Sequence, residues 1–516
     1  MILTAITLLP FLAGLVLLGL SAPSQRGLAR RISLAASCAT LALAVVLWGR
    51  FDPTSGGIQL VEGPYNWIPS LGVQYVLGVD GLGLLMVLLT ALIVPMALLA
   101  SWKVEQQTSL YLALVLFLQT GLFGTFTALN FFHWFLYWEL SLVPAFFLVR
   151  LWGGPQRTAA ATQFFVYTMV GSIAMLLAFL ALYLATGTFD FVRLAELGRA
   201  GQIGPALAAK LSWPHLGGTE LSLLVFSGVL LGLAVKVPLV PFHTWLPVAY
   251  TEAPSATTML LTGLMSKMGV YGFVRILLPI FPEQTRQVLT PLLWLAVLTI
   301  VLSALAAFAQ RDLKRILAYS SINHLGYCML GLFAAMRLTG QEGAVAEARV
   351  AALNGVFLQM FNHGLTAACL FGFVGFLERR SGGLRGLNDF GGLRRIAPVF
   401  CGLMGIALFS SLGLPGLNGF VGEFLIFRGV FPLATWAAAL ATLGLLVTAV
   451  FVLTTLQRVF HGPLNERWAA MPDLSWAERM IMAPAIALMF LLGIYPQVVI
   501  GIFNRTAVQL LEQFKV

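Results

Sequence analysis

Runs of about twenty apolar residues, each long enough to cross a bilayer as a helix, recur from one end of this 516-residue chain to the other. No other feature restricts the fold as much. Inside hydrocarbon each backbone N–H and C=O must find a partner within the protein, and a helix supplies one for every residue of the run. Hydropathy and length place about fourteen spans, centred near residues 11, 41, 90, 117, 140, 173, 232, 265, 299, 324, 364, 413, 446 and 491. The sequence therefore predicts an all-α polytopic membrane protein with no soluble domain between its spans. The first run, MILTAITLLPFLAGLVLLGL, has no basic start and no clear small-residue cleavage site, so it reads as a retained helix rather than a signal peptide. Composition agrees: 59% of residues are hydrophobic and only 10% charged, where a soluble chain carries about a quarter.

The polar connections are short. The longest, roughly residues 187 to 218, contains FDFVRLAELGRAGQ and has room for a short surface helix; ERRSGGLRGLNDFGGLRR at 378 to 395 typifies the others. The net charge of +10 does not point to nucleic acid, because no basic stripe is interleaved with aromatic residues. The charge sits in loops between spans, where it sets orientation. Loops after odd-numbered spans carry about 17 Lys and Arg, against about 11 on the opposite side with its termini. The richer side, with Arg26, Arg30, Arg31, Arg311, Lys314, Arg315, Arg379, Arg380, Arg394 and Arg395, is expected to face the cytoplasm or stroma. Both termini then lie on the far side. Cys38, Cys328, Cys369 and Cys401 are scattered without a CxxC pair. They read as small buried apolar side chains, with no framework for disulfides or iron–sulfur clusters.

The informative charges are those inside spans: Asp80, Glu139, Lys236, Lys267 and Glu423, joined by the titratable His243, His324 and His363. Each charge at mid-bilayer costs about 2.5–3.5 kcal/mol on insertion scales, so these side chains must face protein or water. In LGLAVKVPLVPFHTWLP, Lys236 precedes Pro238 and Pro241, each of which removes a backbone donor and obstructs a helical bond. The freed carbonyls need a hydrated cavity or polar neighbours, and so does the lysine. Glu139 lies in FLYWELSLVPAFFLVRLWGG, among apolar and aromatic residues. Lys267, in LMSKMGVYG, is fifteen residues beyond Glu252, about 22 Å deeper if one helix joins them. Glu423 follows the Gly- and Pro-interrupted LGLPGLNGFVGEF. Broken spans seven and twelve, each with one buried ionisable group, are the pattern of transporter folds built from inverted repeats.

Carboxylate, ammonium and imidazole groups each take and release protons, and burial with charged neighbours brings their pKa values toward neutrality. Spaced through a membrane with intervening water, they form a relay. No HExxH, clustered His/Asp ligands or phosphate-binding loop suggests other chemistry. Blander readings stand beside this one. Lys236 also reads as half of a structural ion pair, and Lys267 with Glu139 as another. His324 and His363 read as hydrogen-bonding core histidines, and His243 as an interfacial helix end. Asp80, in VLGVDGLGLL, reads better as a helix cap than as a relay member, and Arg458 and His461 as a solvated helix end.

At these residues the chain resembles the antiporter-like M subunit of complex I, the NuoM/NdhD type. The resemblance rests on LGVDGLGLLMVLLT, YWELSLVPAFFLVRLWGG, AVKVPLVPFHTWLP, TEAPSATTMLLTGLMSKMGVYGFVR, RDLKRILAYSSINHLGY, NHGLTAACLFGFVG and LPGLNGFVGEF, in that order across essentially the whole chain. It implies fourteen helices, inverted five-helix repeats of helices 4–8 and 9–13, and proton translocation driven by quinone reduction elsewhere in the complex. Residue by residue, it makes Glu139 and Lys236 the coupling pair and Lys267 the central lysine. His324 and His363 become the polar axis and Glu423 the exit-side acid. Glutamate at 423 is similar to the M type, since sister L and N subunits and many cation/proton antiporter subunits carry lysine there. The L subunit adds a long lateral helix, whereas this chain ends at Val516. One departure stands out: the family reads LPDAH where this chain reads LPVAY, with Val248 and Tyr250. Proton uptake there then runs through Glu252 or another path, with His243 and Glu252 as uptake-side or accessory groups.

The expected organisation is residues 1–106 as helices 1–3, 107–280 as the first repeat, 285–462 as the second, and 475–516 as helix 14. The expected function is proton translocation within a NADH- or ferredoxin–quinone oxidoreductase, with no redox chemistry in this chain. The alternatives are a multi-subunit Na⁺/H⁺ antiporter subunit and the paralogue of a cyanobacterial CO₂-uptake complex. A haem carrier ligated by His324 and His363, and a scaffold without transport, remain from other classes. No cofactor or metal is expected on this chain; quinone, iron–sulfur clusters and flavin or ferredoxin belong to partner subunits. Expected partners are L- and N-type antiporter-like subunits and lipids, in a bacterial plasma (inner) membrane or a thylakoid membrane.

Overall fold

Each long apolar run folds as a helix, and polar residues at the junctions stop it. The computed structural model describes residues 1–20, 22–211, 215–337 and 343–514, so the chain end at Val516 lies outside it. Helices α1 (Ile2–Leu18) and α2 (Arg26–Arg50) lead into a hairpin of β1 (Gln59–Ile68) and β2 (Val73–Val79). Next come α3 (Gly81–Ala100), α4 (Thr108–Thr127), α5 (Phe131–Trp152) and α6 (Arg157–Thr186). The long polar connection holds two short helices, α7 (Phe191–Arg199) and α8 (Ile203–Leu211), before α9 (Gly218–Lys236) and α10 (Trp245–Glu252). A winding sequence follows: α11 (Ser255–Leu260), a π-turn (Leu261–Met265), α12 (Ser266–Gly272), a second π-turn (Phe273–Leu277) and α13 (Leu278–Ile280). The remainder is α14 (Pro282–Phe308), α15 (Leu313–Ala335), α16 (Ala344–Ser381), α17 (Pro398–Leu412), α18 (Asn418–Leu433), α19 (Thr435–Phe460), α20 (Trp476–Ile494) and α21 (Gln497–Gln513).

Among the described residues eleven helices are long and apolar enough to cross a bilayer, and Ile2–Leu18 and Pro398–Leu412 are shorter apolar helices. Side-chain caps set the starts: Asp80 accepts the Gly83 amide at 2.8 Å, Asp190 that of Arg193 at 2.8 Å, and Asp312 that of Arg315 at 3.1 Å. Asp80 is thus the cap its sequence suggested. Tyr495 and Pro496 divide residues 475–516 into α20 and α21, where a single helix was expected. The buried positions of α21, from Val499 through Ile502, Phe503, Thr506, Ala507 and Leu511, fall at helical spacing and face α3 and α16.

The hairpin departs from the all-helical expectation. Its turn closes at Gly72, whose φ of +60° is the left-handed conformation that glycine adopts without strain. Glu62 on β1 clasps the start of α1, accepting the Leu3 and Thr4 amides at 2.9 Å each and lying 3.1 Å from the terminal amine. Cross-connections sort the turns into two ends. At one, Arg30 reaches the Val104 carbonyl, Arg379 the Ala100 carbonyl and Arg385 the Thr251 carbonyl. At the other, the Leu129 amide donates to Val76 and the Gly81 amide to Thr506. The basic loops gather at the first end. In the most apolar stretches of Ser255–Ile280 and of α16, 94% of residues are buried, against 33% in α20. Those two helices are where charges find protein on every side.

Candidate functional site

The site is assembled from groups that touch. Lys267 stands in α12 between the two π-turns, the widened helical turns that recur at functional sites. Its Nζ donates to the Thr262 carbonyl at 2.6 Å and to Ser266 Oγ at 3.1 Å, and lies 2.7 Å from His363 Nδ1 on α16. The His363 ring centroid is 5.1 Å from that of His324 on α15. His324 Nδ1 lies 2.9 Å from Glu423 Oε1 on α18, and its Nε2 lies 3.2 Å from Ser411 Oγ. The Gln359 amide donates to Glu423 at 3.3 Å. Lys267, His363, His324 and Glu423 are all buried and run through four helices as one line.

The break at residues 413–417 shapes the end of that line. Helix α17 stops at Gly413, with φ of +81°, and α18 begins at Asn418. The Asn418 carbonyl accepts from Asn362 Nδ2 at 2.6 Å, so the residue preceding His363 braces the broken span. Gly422 has no room for a Cβ, which would lie 2.4 Å from Gln359 Oε1. A Cβ on Gly413 would lie 2.9 Å from Glu423 Oε2, so the carboxylate sits over the break.

The other broken span ends at Lys236, the last residue of α9. Protein donors and acceptors meet the backbone it frees: the Trp245 indole donates to the Val235 carbonyl at 3.1 Å, and the Val240 amide to Thr299 Oγ1 at 3.1 Å. Lys236 is buried and its Nζ has no hydrogen-bond partner among the described residues; it lies 4.8 Å from the centre of the Trp138 ring, within cation–π range. Both Glu139 carboxylate oxygens are buried and meet no donor in good hydrogen-bond geometry among the described residues, with the Ser172 hydroxyl and Lys236 nearby. The ion-pair readings therefore fail among the described residues, since Glu139 is joined directly to neither Lys236 nor Lys267. Gly269 on α12 backs onto this break, where a Cβ would lie 2.9 Å from the Val237 amide and 3.2 Å from the Lys236 carbonyl carbon.

Other expectations sort as follows. His243 lies half-buried within the break, between Pro241 and α10, not at an interfacial helix end. Glu252 ends α10; its carboxylate accepts the Gln156 amide at 2.9 Å and its carbonyl the Gly154 amide at 2.8 Å, which ties it to the turn before α6. Ala253 and Pro254 separate α10 from α11, so Lys267 does not continue the helix of Glu252. It is reached instead by about 18 Å of returning helix from Ser255. Asp80 also pairs with Arg275 at 3.0 Å. Arg458, bonded to Asn388, and His461 stand at the end of α19. Cys328 and Cys369 are buried, Cys401 is half-buried, and Cys38 is exposed on α2, contrary to a buried reading. Sequence reasoning missed Gln359, Asn362, Ser411 and Asn418, and the hydroxyls of Thr262 in the first π-turn and Ser266 at the start of α12; the signal was polar residues recurring inside apolar runs. As haem ligands, His324 and His363 are poorly placed, because three of their four ring nitrogens already face Glu423, Ser411 and Lys267.

The family described as NADH:quinone oxidoreductase/Mrp antiporter, TM matches residues 128–450, and the amino-terminal region of NADH-ubiquinone oxidoreductase chain 4 matches residues 60–125. Subunit M of NADH-quinone oxidoreductase from Rhodobacter capsulatus is 35% identical over 99% of this chain and 97% of its own length. The chain belongs to this family of M subunits. NAD(P)H-quinone oxidoreductase chain 4 1 of Synechococcus elongatus is 36% identical over 99% of this chain and 91% of its own. A chain of respiratory complex I from Thermus thermophilus superposes with a TM-score of 0.82 at 30% identity, covering 99% of this M-type chain and all of that one. The chain is a multi-pass integral membrane protein.

Proposed function

We propose that this M-type chain moves protons across the membrane as a subunit of a complex I-like quinone oxidoreductase, while electron transfer takes place in other subunits. The observation that carries the reading is the enclosed line Lys267, His363, His324, Glu423, in which each titratable group faces the next. An ammonium, two imidazoles and a carboxylate in series accept and donate protons without any covalent step. Polar backbone breaks at both Lys236 and Glu423 support a pair of inverted repeats within a fourteen-helix plan. The division into residues 1–106, 107–280, 285–462 and 475–516 follows that plan.

In this reading Glu139 and Lys236 form the coupling pair: two enclosed ionisable groups near one another and without a direct ion pair among the described residues. Membrane-arm subunits are its partners, with L- and N-type antiporter-like chains as neighbours. Flavin or ferredoxin, iron–sulfur clusters and quinone belong to partner subunits of the complex, in a bacterial inner membrane or a thylakoid. The test is Lys236→Ala and Glu139→Ala in the assembled complex, measuring protons moved per electron. Loss of pumping in both is expected; a normal ratio in both overturns the assignment.

A further inference from the structure

A second set of buried polar groups lies between the basic end and Lys267, and the relay does not use it. A cavity of about 220 Å³ opens there, lined by Ser101, Lys103, Tyr111, Ser255, Glu378 and Arg379 among others. Glu378, near the end of α16, is a partly exposed carboxylate. It lies 3.1 Å from the buried Lys314 ammonium and 3.4 Å from Arg385, and accepts a hydrogen bond from the Ser255 hydroxyl. Lys314 also donates to the Ala253 carbonyl at 3.0 Å, and Arg385 is held by Asp312 at 2.9 Å. From the same cavity Tyr111 OH lies 3.3 Å from Thr257 Oγ1. One helical turn deeper, Tyr250 donates to the Leu261 carbonyl at 3.0 Å, with its hydroxyl beside those of Ser266 and Thr262. Ser266 Oγ is the group 3.1 Å from Lys267 Nζ, and Thr262 Oγ1 lies 2.9 Å from Ser321 Oγ.

We propose that this hydroxyl-lined passage is the proton inlet to Lys267, with Glu378 as the loading group and Tyr250 as the hydroxyl that hands on to Ser266. The inference rests on the proton-translocating reading above. Glu378 takes one proton from water in the cavity. It passes a proton to Ser255, each hydroxyl gives up its own proton as it receives another, and the neutral amine of Lys267 is the acceptor and becomes ammonium. The hydroxyls then reorient, so one proton has moved and nothing else is consumed. Between Thr257 and Tyr250, whose hydroxyl meets the backbone one helical turn beyond Thr257, the proposed relay runs through water. The arrangement also gives a use to the side chain that stands at the sequence's departure from LPDAH. Tyr250 points its hydroxyl inward, into the first π-turn.

The bland account of the same residues is a clasp joining the α10–α11 turn, α15 and α16. Asp312 separates the two, because it belongs to the clasp through Arg385 and touches none of the hydroxyls. The experiment uses the whole complex in inside-out membrane vesicles energised with NADH, comparing Glu378→Gln, Tyr250→Phe and Asp312→Asn. Dye-quench measurement of proton uptake is set against quinone reduction. Glu378→Gln and Tyr250→Phe should each slow proton uptake about tenfold or more, a loss at or below the usual range for a positioned proton-transfer group, while Asp312→Asn stays near wild type. Wild-type uptake in Tyr250→Phe, or equal losses in Glu378→Gln and Asp312→Asn, overturns the inlet. Should Glu378→Gln fail to assemble, Tyr250→Phe and Ser255→Ala decide it alone. Lys236→Ala, run in parallel, keeps the questions apart. If it abolishes pumping while Glu378→Gln and Tyr250→Phe pump normally, only the inlet falls; if all pump normally, the transport reading falls with it.

Discussion

Replacing Gly422 with alanine tests whether the geometry at Glu423 matters as much as its chemistry. The new Cβ would lie 2.4 Å from Gln359 Oε1 and 3.2 Å from the Gln359 backbone nitrogen and Cα. The side-chain oxygen must retreat by about 1 Å to reach ordinary contact, and α16 and α18 must part by a few tenths of an ångström. Overpacking of this kind costs about 1–3 kcal/mol, so the protein should still fold and assemble. The amide that moves is the one donating to Glu423 at 3.3 Å, and a hydrogen bond to a charged group contributes about 1.5–3 kcal/mol. Losing it shifts the balance between aligned and misaligned Glu423 by about tenfold to a hundredfold, and proton translocation should fall accordingly while quinone reduction persists. Gln359→Leu removes the same amide with similar volume and no clash. Proton uptake measured in vesicles containing each variant decides the matter. Wild-type pumping in Gly422→Ala refutes the argument outright; wild-type pumping in Gln359→Leu with loss in Gly422→Ala shows that the amide is irrelevant and the helix spacing alone counts.

Gly269→Ala should push α12 away from the broken end of α9, because its Cβ meets the Val237 amide at 2.9 Å; pumping should drop more than assembly, as read by native gel and dye quench, and equal losses would mark simple misfolding. Asp80→Ala removes both the cap of α3 and the partner of Arg275; leaving that largely buried cation unpaired should cost about 3–5 kcal/mol, and a thermal-inactivation midpoint unchanged from wild type would contradict this. Glu62 responds to pH: burial raises its pKa, but the Thr4 hydroxyl and the Thr4 and Leu3 amides outweigh that and hold it below the ordinary glutamate value. A depressed folded-state pKa means the clasp on α1 is fully present above the ordinary value, about 4.3, and is lost as the pH falls through the folded-state value. The protection of the Leu3 and Thr4 amides, measured against their intrinsic exchange rates, should therefore fall on acidification in the wild type and be low and independent of pH in Glu62→Gln.

Most of the fold was legible because hydrocarbon imposes a length on its spans. All but one of the expected centres fall in helical backbone, and the remaining one, near 413, marks the gap between α17 and α18. Lys267, His324, His363 and Glu423 were legible for the same reason: a charge or imidazole inside an apolar run has no cheap place to be. The structure brings these four into contact but leaves Glu139 and Lys236 unjoined, and no spacing in the sequence distinguishes the two outcomes. The hairpin was missed because GPYNWIPSLGVQYVLGV is half apolar and reads as neither loop nor span. The π-turns around Lys267 leave no composition signal, since the extra residue in each turn is an ordinary leucine, threonine, valine or arginine. Residues such as Gln359 and Asn362 were passed over because a neutral amide is a weaker anomaly in an apolar run than a charge, although here one holds Glu423 and the other the broken backbone.

The contrast between the two breaks bears on how the proposed pumping is driven. Where each ionisable group faces the next, as from Lys267 to Glu423, a proton has a neighbouring acceptor a few ångströms away. Among the described residues Glu139 and Lys236 are enclosed without a direct ion pair or a well-formed hydrogen bond; each lies near the other, and Lys236 also lies near the Trp138 ring. A buried charge in that condition is costly, so any movement that gives it a partner releases free energy, and any movement that withdraws the partner must be driven. That is the property required at the place where energy enters, whereas a connected line is the property required where protons pass. The two places are mechanically joined, because the backbone on which Lys236 ends rests on Gly269, two residues along α12 from Lys267. Movement of the α9 break therefore bears on the helix that carries Lys267, which is flanked by two π-turns of the kind that recur at functional sites.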